Sequence, residues 1–355
     1  HWHQDSPYNE LCPELDSNER TLVGSAGLTM AQLMYFWQWP ATGEGTAQVT
    51  YSYWYQPNWV ETICLTDPGV PPIAIWDNRL QWVPVGGGIL RMRGGWDQSL
   101  RMQAARISDD PLYQTALLTL WSQFMLTSEA TSTACMADFS AADYDWSLME
   151  DVHSVPPDAG DDEVAKLCYH AGIAVETEYG VSQSSWFGDH LDQALVSHFR
   201  YDPDAIGEQR DISAMTEEIQ WGRPLALTGT NVDGEDHAWI VYGYNKSTDP
   251  NRQFLVNMGL GGEEDGWYSC DSMPHSFFQY QFVHIAPEDV VRFVGDTTPG
   301  DGTPDNPYAD IEEAIAAAPD SVTLIFKAGT SMPFTADTLV LDRPMVLKGK
   351  MVLGE

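Results

Sequence analysis

Four residues of this chain are of types, and in settings, that suit nucleophilic catalysis: Gln4, Ser25, His237 and Asn257. Ser25 follows Gly24 and opens SAGLTMAQLMYFW, a run too apolar to face water. At the first turn of such a helix, free backbone N–H groups and the positive dipole end stabilise an anion. A thiol in that seat loses its proton near neutral pH. Serine is equally one of the best N-capping residues, so Ser25 by itself reads as a cap. His237, in DGEDHAWIVYGYN, stands at the start of an apolar strand, where a structural histidine is the simpler reading. Asn257, in FLVNMGLGGEEDGWY, ends a further strand before a glycine-rich turn. An amide there can hold the far nitrogen of a histidine and fix its tautomer; alone it would be a turn residue. Gln4, in HWHQDSPYN, carries an amide donor that could serve an oxyanion hole; alone it would be a surface residue. Each signal is weak, but the joint order Gln, nucleophile, His, Asn is far less expected by chance.

The elements that must carry these residues follow from pattern. Residues 26–39 predict a helix that is apolar nearly all round, hence central and buried, and Pro40 stops it. Residues 41–51 predict a glycine-punctuated turn into a strand. Residues 52–136 mix Trp-rich strand-like pieces with one helix over 111–125 and read as an insertion. DDEVAKLCYHAGIAV, 161–175, predicts an amphipathic helix with an acidic first turn, ended by Gly172. A shorter helix is expected near 189–199, and then strands in PLALTGT, HAWIVYGYN, QFLVNMG, GWYSC and QFVHIA. Helices first and strands later point to α+β rather than a doubly wound parallel sheet. After about residue 286 a polar loop, a short helix and short apolar strands follow, and the chain stops inside that pattern; the expectation is that it continues in a longer protein.

Composition narrows the function classes. The 355 residues include 17 Lys+Arg against 52 Asp+Glu, a formal net charge of −35. Such a surface repels nucleic acid and anionic membranes. No segment approaches the roughly 18–20 apolar residues that span a bilayer. Cys12, Cys64, Cys135, Cys168 and Cys270 have no zinc-site spacing, and Cys64–Cys135 is one conceivable bridge that spacing cannot assign. The acidic loop with Asp296, Asp301, Asp305 and Asp310 lacks EF-hand spacing and reads as a solvated turn rather than a calcium site. The GGG at 86–88 lacks the strand–helix setting of a phosphate loop, and His1 and His3 of HWH read as a plain terminus before a metal pair. His153, His170, His190 and His198 share no ligand spacing, and His275 and His284 read as structural or surface residues. No cofactor or metal is expected.

The motifs bearing these residues resemble the streptopain family of papain-like cysteine peptidases, over roughly residues 1–51 and 137–285. HWHQDSPYNELCP is similar to the family's mature N-terminus, which implies an oxyanion-hole role for Gln4. VGSAGLTMAQLMYFWQWPATGEGT resembles its nucleophile helix. YDWSLM, EVAKLCYHAGIAVETEYG and GRPLALTGT resemble its intervening segments. DHAWIVYGY resembles the strand with the catalytic His, here His237, and VNMGLGGEEDGWY the segment with the catalytic Asn, here Asn257. The resemblance implies a two-lobed fold, a helical lobe with residue 25 and an antiparallel sheet lobe with His237 and Asn257. It also implies a protein or peptide substrate and a secreted or cell-surface setting. NPYADIEEAIAAAPDSVTLIFKAGTS and LVLDRPMVLKG resemble the opening of a right-handed parallel β-helix of the pectate-lyase type, so the expected division is 1–285 peptidase domain and 286–355 β-helix fragment.

The departures are specific. The family has Cys where this chain has Ser25, and Ala26 and Gly27 replace its usual Val-Ala. Met258 stands where a Trp shields the His–Asn pair, and would shield less well, being apolar but not flat. Because the flanks differ too, a natural serine is favoured over an introduced one. The expected function is a peptidase scaffold that is weak or inactive with Ser25. The alternative is a binding or adhesive surface protein whose β-helix takes glycan or matrix.

Overall fold

A computed structural model of the chain describes residues 2–14, 20–63, 75–76, 80–85, 89–97, 111–153, 155–181, 184, 190–232, 234–245, 252–288, 290–295, 298–327 and 345–348. The expected sites at Cys64, Asp296, His1, the 86–88 glycines and most of 182–190 lie outside the described residues.

Helix α1 (Ser25–Trp37) is central, as its all-round apolar sequence requires: nine consecutive residues from Ala26 to Met34 are buried. Its N-cap is Gly24, at φ 86°, and no side chain caps it; the C-cap Gln38 is left-handed and returns its N–H to Met34 O and Tyr35 O. Strand β1 (Thr46–Ile63) leads into β2 (Ile75–Trp76), β3 (Leu80–Val85) and β4 (Ile89–Asp97), then α2 (Pro111–Thr127) and β5 (Glu129–Asp138). These five strands form one sheet in the order β2-β3-β4-β1-β5, and every pairing is antiparallel. The region read as an insertion is thus a sheet built outward from β1, with α2 against β1 and β4.

Helix α3 (Ala159–Ala174) starts in a capping box: Gly160 N–H donates to Asp158 (2.8 Å) and Asp158 N–H to Asp161 (2.9 Å). It runs two residues past Gly172. That glycine does not end the helix because it serves a contact instead. A Cβ on Gly27 would lie 2.8 Å from the Gly172 Cα, so α1 reaches the α3 backbone only with glycine at 27, while a Cβ on Gly172 would fall 2.6 Å from the Tyr179 hydroxyl. Helices α4 (Leu191–Phe199) and α5 (Ile212–Gln220) flank β6 (Ile206–Gln209). Asp211 caps α5 by accepting from Ser213 N (2.6 Å) and Ala214 N (3.1 Å).

The second sheet holds β7 (Leu225–Thr230), β8 (Asp236–Tyr244), β9 (Phe254–Asn257), β10 (Gly266–Tyr268) and β11 (Phe277–Val283) with β6, in the order β10-β9-β8-β7-β11-β6. Its pairs are all antiparallel. One apolar cluster joins α1, α3 and α4 to this sheet through Ala226, Ala238, Ile240 and Phe282, so helical lobe and sheet lobe share a core. The chain ends in β12 (Val291–Val294), α6 (Ile311–Ala317), β13 (Val322–Phe326) and β14 (Met345–Lys348). These three strands are parallel, in the order β12-β13-β14. Trp221, Ala286, Val291, Phe293 and Ile325 seal this small sheet to the rest.

Candidate active site

Ser25 sits at the first helical position, one residue inside the cap, so the capping role that serine suggests is taken by Gly24. Its Oγ instead accepts a hydrogen bond from Ala238 N–H at 3.2 Å. The bond spans 213 residues and ties the hydroxyl to the backbone directly after His237. Folding therefore brings the helix mouth to the strand that carries the imidazole. With its lone pair held by Ala238, the hydroxyl keeps its own proton for an acceptor in front of the helix.

His237 Nε2–H donates to the carbonyl of Met258 at 2.7 Å. That bond fixes the Nε2–H tautomer and leaves Nδ1 as the basic nitrogen. Burial, chiefly, holds the His237 pKa down to about 4; the Met258 carbonyl and Glu264 oppose that shift, and His275 adds to it. The ring is therefore neutral at pH 7 and able to take a proton.

The expected amide partner is placed differently. Asn257 Oδ1 accepts from Gly259 N–H at 2.9 Å, bracing the turn rather than meeting the imidazole. The acceptor on His237 is the carbonyl one residue further on. Met258 is gripped from its other side, its N–H donating to Asp265 Oδ1 at 2.7 Å. Its side chain is fully buried among Trp239, Phe254 and Val256 in the sheet core. The turn beyond it is left-handed at Gly259 (φ 69°), Gly261 (φ 67°) and Gly262 (φ 96°). A Cβ on Gly259 would stand 2.9 Å from Leu28 Cδ2, so the turn packs on α1 only as glycine.

Gln4 reaches the same corner through its backbone, its carbonyl accepting from Val23 N–H at 3.1 Å, two residues before Ser25. The Trp2 carbonyl accepts from Gly261 N–H at 3.0 Å. The N-terminal strip thus bridges the mouth of α1 and the glycine turn. Two residues next to the site carry no signal in the sequence. Asp265 is an ordinary acid in a polar turn. His275, classed above as structural or surface, lies on the His237 ring with centroids 5.0 Å apart and planes 26° from parallel.

No described cysteine stands at this site. Cys12, Cys135, Cys168 and Cys270 are buried free thiols, which removes Cys135 from the bridge considered above. Burial pushes all four thiol pKa values up. Among the described residues no group of three metal-ligating side chains converges, and no helix is long and apolar enough to cross a membrane.

The architecture has a solved counterpart. The active wild-type interpain A cysteine protease of Prevotella intermedia superposes with a TM-score of 0.50 at 21% identity, covering 79% of this chain and 90% of that one. At that identity the likeness speaks for the fold alone: a papain-like scaffold. The chain belongs to the Peptidase C10 family, whose model matches residues 2–62 and 120–268 and so takes in Gln4, Ser25, His237 and Asn257. The unmatched stretch between falls inside the segment read as an insertion. Streptopain of Streptococcus pyogenes serotype M28 is 26% identical over 117 residues, 31% of this chain and 28% of that protein. Streptopain of Streptococcus pyogenes is 25% identical over the same length, with the same coverage. The match thus spans under a third of these relatives' own length.

Proposed function

We propose that the chain is a secreted or cell-surface endopeptidase scaffold of this family, in which residue 25 is the nucleophile position and Ser25 makes catalysis slow or absent. The observation that carries the reading is the hydrogen bond from Ala238 N–H to Ser25 Oγ, which sets a hydroxyl at a helix N-terminus beside a neutral, tautomer-fixed histidine. In the proposed reaction His237 Nδ1 takes the residue-25 proton as Oγ bonds to the scissile carbonyl carbon. The carbonyl electron pair moves to oxygen, where the Gln4 amide and the residue-25 N–H stabilise it. On collapse the C–N bond breaks and the imidazolium gives its proton to the leaving amine. Water, deprotonated by His237, then releases the acyl group and restores the hydroxyl. Asn257 contributes by shaping the turn that presents the Met258 carbonyl to His237.

Serine fits this site poorly. An alcohol is a much weaker acid than a thiol, and the helix end stabilises a preformed anion that serine does not provide. The test is hydrolysis of fluorescent casein by the chain and by its Ser25→Cys variant. A gain of at least about 100-fold is expected from the thiol's nucleophilicity. A folded Ser25→Cys variant with no activity above the parent on casein or on denatured substrates refutes the reading.

A second reading draws on a different observation, the parallel order of β12, β13 and β14 with α6 between the first two. It takes residues 286–355 as the first rungs of a right-handed parallel β-helix and residues 1–285 as a lapsed peptidase domain beside it. The protein then binds glycan or matrix. Glycan-array binding that persists in a His237→Ala variant supports it; proteolysis by the unmodified chain that depends on Ser25 dismisses it.

A further inference from the structure

We infer that His275 is a positioning residue for His237, its ring forming the platform against which the His237 imidazole is held and screened from water. This rests on the peptidase reading for its purpose, but its geometry stands apart from any activity. The two rings are stacked at 5.0 Å and 26°, and Trp239 flanks both, 6.4 Å from His237 at 16° and 6.0 Å from His275 at 41°. Offset stacking of this kind holds ring planes as well as burying area. Hence the flat shield over the histidine is His275. The Met258 side chain, the residue expected there, is turned into the sheet core.

The loop bearing His275 is built to reach this place. In the ladder between β7 and β8, Gly229 is the residue directly opposite His237. A Cβ on Gly229 would fall 2.3 Å from the His275 carbonyl oxygen and 3.1 Å from Trp239 Cη2. Any side chain there would expel the loop, so the missing side chain beside His237 is the room His275 uses. Gln279 then staples the loop, its Nε2 donating to the carbonyls of Cys270 (3.2 Å) and His275 (3.1 Å). Three polar atoms of this group, His275 Nδ1, Trp239 Nε1 and Gln279 Oε1, are buried without a hydrogen-bond partner among the described residues. A cluster of orphaned polar atoms beside a reactive group is uncommon in a purely structural core.

The stack also couples the two rings electrically. A proton on His275 opposes one on His237. Glu235 and Asp236, in and just after the turn before β8, favour the His275 proton. Glu264, in the turn after β9, favours that of His237. Asp265 is engaged on Met258 N–H, and α1 offers the neutral Ser25. A proton on His275 therefore holds His237 neutral to lower pH.

The test is a titration of the full chain with isotope-labelled histidines, the His237 signal being identified by its loss in His237→Asn. In His275→Ala the His237 midpoint should rise by about 1 pH unit or more as water enters, and the Nε2–H tautomer should be lost. In His275→Phe the midpoint should rise by about half a pH unit with the tautomer kept, since the platform stays and only the charge goes. In the Ser25→Cys background, His275→Ala should lower kcat about tenfold with KM changed less than twofold, and His275→Phe should restore it. An unchanged His237 midpoint and tautomer in folded His275→Ala overturns the proposal. If that variant does not fold, an unchanged His237 midpoint and tautomer in His275→Gln, which keeps side-chain bulk but removes the ring, overturns it instead. A Ser25→Cys chain without activity sinks the peptidase reading and leaves the titration to judge the ring pair.

Discussion

Replacing Ser25 by cysteine places a thiol where the helix and His237 can each act on its proton. Moving that proton to His237 is uphill by the gap between an ordinary thiol, near 8.5, and the depressed imidazole, at about 4. That gap is about 4.5 pH units, or roughly 6 kcal/mol. The thiolate and imidazolium formed would stand some 4 Å apart in a partly buried cleft, an attraction of about 4 kcal/mol. The first turn of α1 adds up to about 2 kcal/mol for an anion at its mouth. The sum closes near zero, so about half the molecules should hold the ion pair. At pH 6 an ordinary thiol is ionised to only about 0.3%. Alkylation of Ser25→Cys by iodoacetamide at pH 6 should therefore run about 100-fold faster than that of an unfolded-chain cysteine, above the background of the unsubstituted protein. Adding His237→Ala should remove most of the advantage. A new thiol that titrates near 8.5 with or without His237 would show that the imidazole and the helix mouth do not act together.

Other consequences follow from the same contacts. Asp265→Ala frees the Met258 N–H, and in the Ser25→Cys background kcat should fall about tenfold, with Asp265→Asn retaining most of it because an amide oxygen can accept the same bond. Gly27→Ala pushes a methyl into the Gly172 backbone and should cost about 1–3 kcal/mol in urea unfolding; a neutral result would mean the helices can separate freely. Arg223 and Glu218 are both buried and joined by two hydrogen bonds, so Arg223→Met should destabilise by about 3–5 kcal/mol, and the double variant with Glu218→Met by less. His170 and His237 are both held to about 4 by burial. Unfolded, they titrate near 6.5, so the unfolded state binds the extra protons between these values. Stability should fall as pH drops from about 6.5 to 4, by up to about 3 kcal/mol per residue. His170→Gln should flatten the decline in Tm over that window.

Much of this was open to reading from residue order. The apolar run after Ser25 demanded a buried helix, and α1 is buried from Ala26 to Met34. The apolar segment HAWIVYGYN falls in β8, with Ala238 to Val241 buried; QFLVNMG contains β9, with Asn257 at its end. The family was legible too, because the motifs around residues 4, 25, 237 and 257 are local patterns, and the Peptidase C10 model spans them. Where local rules compete, order misled. Gly172 is a good helix terminator by propensity, yet α3 passes through it, its backbone packed under Gly27 of α1 and its missing side chain leaving room for the Tyr179 hydroxyl. Ser25 is a good cap, yet Gly24 took that position and the hydroxyl turned to Ala238.

The sequence by itself determined which side chains are present, the period of each element and hence the helix, the sheet and the family. Tertiary structure alone decided who touches His237: the Met258 carbonyl rather than the Asn257 amide, and His275 as its flat cover. The reason is physical. Periodicity encodes which face of an element is buried, but a carbonyl has no residue-type signature, and a ring stacked from a loop 38 positions away depends on a glycine in a third strand. Such contacts exist only once β7, β8 and the loop before β11 are packed together.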